Sequence, residues 1–217
     1  TDEIIKREPV SLSIIEKDLE LSEALKKRYK KHTHIKIYNH DVLKFDLEKI
    51  IKKKTIIFGN LPYNISSQIL VKIIKFKKWP PNFLDLIFMF QKELGEKIIG
   101  KFGTKNYGRL SILSNLRLKI EKKFLVSSSC FWPKPKVLSM VIHFSPKKII
   151  FDLKNVYKLE KITKIFFSNK RKMINKNIKK ILSQKKINMI SKLNLKCRPS
   201  EINPEIYYKI TELYEEG

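Results

Sequence analysis

The segment from Thr55 to Ile74 constrains this chain more than any other. The apolar run Thr55-Ile56-Ile57-Phe58 is long enough for a short buried strand, and it stops at Gly59-Asn60. Just beyond, Ile65, Ile69, Leu70, Ile73 and Ile74 recur at the i, i+3, i+4 spacing of a helix with one apolar face. Between the two lies a polar loop stiffened by Pro62. A strand that passes through such a loop into a helix is the building unit of an open α/β sheet, and these sheets place their chemistry at the carboxyl ends of their strands.

The same alternation runs along the chain. Asp2 to Arg7 reads as the end of a helix, and Val10 to Ile15 as a strand that delivers Glu16-Lys17-Asp18 at its end. Leu19 to Tyr29 has helical spacing, and Ile35 to Tyr38 is a strand leading to His40-Asp41. A short helix over Leu47 to Ile51 precedes the Thr55 strand. Phe83 to Phe90 is a further strand, with helices expected over Gln91 to Lys101 and Leu110 to Leu118. Lys119 to Val126 and Ser139 to Phe144 read as a closing antiparallel pair, separated by the Pro-rich stretch Phe131 to Pro135. Beyond Phe151 the strand signal stops, and Val156 to Leu195 is helical and dense in lysine. The expectation is a mostly parallel sheet over residues 1–150 and a small all-α domain over residues 151–217.

The loop Asn60-Leu61-Pro62-Tyr63 is well suited to holding the exocyclic amine of a nucleobase. The N6 amine of adenine is a poor nucleophile because its lone pair is delocalised into the ring, and it presents two N–H donors. The Asn60 side-chain carbonyl can accept one. The backbone carbonyl of Leu61 or Pro62 can accept the other, since Pro62 fixes its own φ and restricts Leu61. Two such bonds favour a pyramidal nitrogen aimed at an electrophile, which is electrostatic preorganisation. Tyr63 offers a ring for an extruded base. The same residue types also build ordinary strand-to-helix turns, so the rest of the chain has to decide.

Glu16 and Asp41 each follow a strand. A carboxylate at the first position can accept both hydroxyls of a ribose, and one at the second can accept from the adenine amine of a bound cofactor. With Asn60 they occupy three successive strand ends, the pattern expected of one cofactor crevice.

The charge points to a polyanion. With 47 Lys+Arg against 21 Asp+Glu, the net charge is +26, and each phosphate neutralised adds a counterion-release contribution. Part of the lysine also fits the Lys-, Ile- and Asn-heavy usage of AT-rich genomes. Cys130 and Cys197 form no Cys-x-x-Cys pair, which makes a disulfide framework unexpected and a reduced, cytoplasmic setting the default. His32, His34, His40 and His143 lack ligand spacing with the cysteines, so no metal is expected. No apolar run is long enough to span a membrane.

Six ordered motifs now stand together: Ile15-Glu16-Lys17-Asp18, Asn60 to Ser66, Phe90-Gln91-Lys92-Glu93, Tyr107-Gly108-Arg109-Leu110-Ser111, Phe131-Trp132-Pro133-Lys134-Pro135-Lys136-Val137 and Lys170-Arg171-Lys172. Cys197-Arg198-Pro199 to Ile202 adds a closing segment. Over nearly its whole length the chain resembles the ribosomal RNA adenine N6,N6-dimethyltransferases. The resemblance implies a class I (Rossmann-like) methyltransferase sheet with S-adenosyl-L-methionine as methyl donor. It implies Glu16 as the ribose-binding acid, Asp41 as the adenine-side contact and Asn60 as the residue shared by cofactor and target amine. Phe131 resembles the family's aromatic that helps hold the flipped adenine. The implied partner is small-subunit rRNA in a pre-30S particle, bound by a monomer, with adjacent adenines near the 3′ end as targets.

The chain departs from the family pattern in two places. Leu138 stands where Asp is usual, which is expected to alter loop hydrogen bonding rather than chemistry. The family's basic arm and Gly-rich loop fall before the position of Thr1, and the six glycines here are scattered. The expectation is an N-terminally truncated methyltransferase domain, with weak cofactor binding if this polypeptide acts alone. Two other readings share parts of the pattern: a resistance-type methyltransferase of large-subunit rRNA, and a catalytically impaired RNA-binding factor in ribosome assembly.

Overall fold

The computed structural model of the chain describes residues 1–148, 150–151, 153–191 and 193–216. They form two compact units that divide between Lys52 and Lys53.

In the first unit, a short helix α1 (Asp2–Ile5) precedes strand β1 (Leu12–Glu16), helix α2 (Leu19–Arg28) and strand β2 (Ile35–Asn39). β1 and β2 pair in parallel, from Leu12 opposite Ile35 to Glu16 opposite Asn39. α2 begins where Asp18 accepts the Leu21 amide at 2.9 Å, and it ends in Lys26, Lys27 and Arg28, which suit the negative end of the helix dipole. Asp2 closes the unit from the other side by accepting from Tyr29 Oη at 2.6 Å and pairing with Arg28. That hydroxyl, helped by Arg28, holds the Asp2 carboxyl below its ordinary range. The first strand starts later than its apolar pattern suggests, because Val10 lies in a bend and is 97% exposed.

The second unit opens with β3 (Thr55–Asn60), α3 (Ser66–Ile74), β4 (Phe83–Gln91) and α4 (Lys92–Ile98). It continues through α5 (Arg109–Arg117), β5 (Leu118–Val126) and β6 (Ser139–Pro146). The strand order is β3-β4-β6-β5; β3 and β4 are parallel and the other pairings antiparallel. The expected closing pair is therefore present. The expected parallel pairing is found within each unit, β1 with β2 in the first and β3 with β4 in the second.

Alternation along the strands decides which side becomes core. Leu86, Phe88 and Phe90 of β4 and Ile142 and Phe144 of β6 are buried, as are Ile69, Leu70, Ile73 and Ile74 of α3 and Ile112 and Leu113 of α5. Helices α3 and α5 pack against each other. α4 approaches β6 so closely that a Cβ on Gly95 would lie 2.8 Å from Met140 Sδ.

The lysine-dense segment does not form one long helix. It resolves into α6 (Val156–Phe167) and two short helices, α7 (Asn175–Ile178) and α8 (Gln184–Asn188), before α9 (Pro204–Glu215). α6 and α9 pack together through Leu159, Ile162, Phe166, Tyr207 and Ile210, all fully buried. Buried tyrosine hydroxyls fasten this part to the sheet's helices. Tyr107 Oη donates to the Ile202 carbonyl at 2.7 Å, and Tyr208 Oη donates to that of Ile112 at 2.9 Å. Burial pushes both phenols well above their ordinary value, so both remain donors.

Candidate active site

The end of β3 is shaped by the absence of a side chain. A Cβ on Gly59 would stand 2.6 Å from Leu61 Cδ2 and 2.9 Å from Phe88 Cδ1, so glycine lets the Leu61 side chain fold back over the strand. The chain then turns tightly. The Pro62 carbonyl accepts the Ile65 amide at 3.1 Å, and the Tyr63 carbonyl accepts Ser66 Oγ at 3.1 Å as α3 begins.

That turn selects between the two carbonyls proposed as the second acceptor. Pro62 is engaged by Ile65, whereas the Leu61 carbonyl has no partner among the described residues. The exposed Asn60 side chain also has none among them. The strand end thus presents an amide and a neighbouring carbonyl, both without an internal partner, which is what gripping a two-donor amine requires. Tyr63, expected as a stacking ring, is half-buried and shares a 2.8 Å hydrogen bond with Ser139 Oγ, 76 residues along the chain.

This bond brings in the loop that carries Phe131. Asn60 lies opposite Met89, Gln91 opposite Ser139, and Ser139 opposite Val126. The loop after β3, the start of α4 and the loop between β5 and β6 therefore leave the sheet at one end. The Leu138 carbonyl accepts the Lys92 amide at 2.9 Å, so this position contributes through its backbone despite the departure from Asp. Phe131 follows a 3-10 turn (Ser128–Cys130), half-buried, its amide donating to the Ser128 carbonyl at 3.3 Å.

In the first unit, Glu16 and Asp41 come together at the carboxyl end of the parallel pair. Glu16 Oε1 accepts the Asp18 amide at 2.8 Å, and Oε2 has no partner among the described residues. Asn39, opposite Glu16, donates its Nδ2 to the Glu16 and Lys17 carbonyls at 3.1 Å and so holds the turn after β1. Asp41 is more engaged: Oδ1 accepts the Leu43 amide at 2.9 Å, and Oδ2 lies 3.3 Å from Lys17 Nζ. The Leu43 amide, with help from Lys17, holds its carboxyl below the ordinary value. Because an ionised carboxylate offers about four acceptor positions, both acids fit hydroxyl or amine donors of a nucleoside. Among the described residues, no group of three or more His, Cys, Asp or Glu could hold a metal ion. Nor is any helix among them long and apolar enough to cross a membrane.

Residues 1–216 match the family model described as ribosomal RNA adenine dimethylase. The ribosomal RNA small subunit methyltransferase A of Pelagibacter ubique (strain HTCC1062) is 40% identical across 100% of this chain and 82% of its own length. Among solved structures, a dimethyladenosine transferase from Plasmodium falciparum superposes with a TM-score of 0.72 at 25% identity, covering 95% of this chain and 82% of its own. The 23S rRNA methyltransferase ErmE shares the fold, with a TM-score of 0.63 at 18% identity over 94% and 82% of the two chains. These neighbours carry the class I methyltransferase fold. With the family match running nearly end to end, the chain belongs to the ribosomal RNA adenine dimethylase family and is a methyltransferase of ribosomal RNA adenines.

Proposed function

We propose that this protein converts adenine to N6,N6-dimethyladenine at adjacent adenines near the 3′ end of small-subunit rRNA, within a pre-30S particle in the cytoplasm. The observation that carries this reading is the pair of acceptors without internal partners at the end of β3, the Asn60 side chain and the Leu61 carbonyl. S-adenosyl-L-methionine, when bound, supplies an electrophilic methyl group on a sulfonium. In this reading, Glu16 holds the ribose hydroxyls of that donor and Asp41 its adenine amine.

Asn60 and Leu61 accept the two N–H groups of the target adenine and direct the nitrogen lone pair along the line of displacement. Pro62 disfavours a helical Leu61, and its own carbonyl is occupied by Ile65. Phe131 and Tyr63 hold the extruded base between aromatic surfaces. After the first transfer one N–H remains, so a single acceptor suffices while the site turns over again.

Residues 1–150 carry the chemistry in this proposal, and residues 151–217 bind RNA through exposed groups such as Lys170, Arg171 and Lys172. The protein works as a monomer. The test is Asn60→Ala, assayed for methyl transfer to small-subunit rRNA and separately for RNA binding. Loss of transfer with binding retained is the expected result; loss of both would make Asn60 a structural residue.

A further inference from the structure

The chain contains two tryptophans, and the structure treats them oppositely. Trp79 is half-buried. Its Nε1 donates to the Lys147 carbonyl at 3.0 Å, and the Arg117 guanidinium lies 4.7 Å from its ring centre. Trp132 is 98% exposed, with no ring, hydrogen-bond or ionic partner among the described residues. A single exposed apolar side chain is ordinary on a protein surface, but an indole in water keeps both of its faces free to stack, and what surrounds it decides whether that matters.

Its position indicates which partner. Trp132 directly follows Phe131 in the loop between β5 and β6, at the sheet end that carries Asn60. The loop is fastened where it rejoins the sheet, by Lys92 on the Leu138 carbonyl and by Tyr63 on Ser139. Lys134 and Lys136 of the same loop are exposed and form no ion pair or hydrogen bond among the described residues. An aromatic face beside free ammonium groups is the combination that binds single-stranded nucleic acid, the ring stacking on a base and the lysines meeting phosphates.

We propose that Trp132 is a stacking platform for an unpaired RNA base next to the target adenine, with Lys134 and Lys136 on the adjoining phosphates. This rests on the reading of the Asn60 loop as an RNA adenine site. Phe131 and Trp132 would then divide the work: the first meets the base being methylated, the second its neighbour. Trp132 sets how the strand lies across the site and so affects RNA affinity more than the chemical step.

The test uses the full chain, its Trp132→Phe and Trp132→Ala variants, and a twelve-nucleotide RNA offered unpaired or as a duplex. The difference in emission between wild type and Trp132→Phe isolates the exposed indole. The expected result is that unpaired RNA quenches this component and shields it from acrylamide, whereas duplex RNA and heparin do not. For methyl transfer, Trp132→Ala is expected to raise the RNA KM by roughly five- to a hundredfold, as loss of one stacked base would. Its kcat should stay within about twofold, and Trp132→Phe should restore most of the affinity. An unchanged Trp132 emission, equal quenching by heparin, or an unaltered KM in Trp132→Ala would overturn the proposal. Quenching by unpaired RNA in a protein that methylates no RNA would leave the stacking site standing and defeat the proposed reaction instead.

Discussion

Tyr63 and Ser139 share a 2.8 Å hydrogen bond that ties the loop after β3 to the first residue of β6. Ser139 is fully buried, so its hydroxyl depends on that partner. Tyr63→Phe keeps the ring and orphans the serine, which should lower stability by about 1–3 kcal/mol in denaturant titration. Because the bond also fixes the Asn60 loop, kcat is expected to fall further than this stability loss would explain at a temperature where the variant stays folded.

Gly59 offers a sharper probe of the loop. The Cβ of Gly59→Ala would meet Leu61 Cδ2 at 2.6 Å, while Phe88 behind it is nearly fully buried and cannot give way. Turning the Leu61 side chain away relieves one contact but not the 2.9 Å approach to Phe88, so the β3 backbone shifts and carries Asn60 and the Leu61 carbonyl with it. Single-turnover methylation should slow by up to about a hundredfold, since displacements near an ångström at a reacting centre cost on that order. RNA affinity in filter binding should change little.

The Asp41 carboxyl is held below its ordinary value of 3.8 chiefly by the Leu43 amide. A depressed carboxylate adds stability that is complete above its unfolded value and disappears as pH falls through its folded value. Asp41→Asn lacks that contribution. Thermal unfolding measured from neutral pH down into the acid range should show a constant gap between wild type and variant above pH 3.8, closing as the pH falls further through the lower folded-state value.

The exposed run Lys170-Arg171-Lys172, in the turn between α6 and α7, tests RNA binding by the C-terminal part. Replacing all three with Ala should weaken binding to RNAs of any sequence. It should also reduce the slope of log affinity against log salt by roughly 2 to 3, if each residue meets one phosphate.

What was legible in the sequence is what local pattern encodes. The strand ending at Asn60, the helix after it and the carboxylates at the end of β1 and just after β2 all follow from apolar spacing and the residues that interrupt it. Four features were not legible, for identifiable reasons. The Tyr63–Ser139 bond joins positions 76 apart, and nothing near either residue signals the other. The helical period over Val156 to Leu195 does not show where the chain turns, because Ser168 and Ser183 are compatible with helix and with its ends. The choice of the Leu61 over the Pro62 carbonyl depends on the Ile65 amide, a contact set by where α3 begins. Val10 is apolar enough for β1, yet the ladder starts only at Leu12, opposite Ile35.

Primer extension across the 3′ region of small-subunit rRNA tests the central claim most directly, because dimethylated adenine cannot pair normally and halts the polymerase. Cells carrying the wild-type gene should give a strong stop at two adjacent adenines, and cells with the gene deleted or carrying Asn60→Ala should give read-through. Identical traces from all three would contradict the assignment of this site to adenine dimethylation.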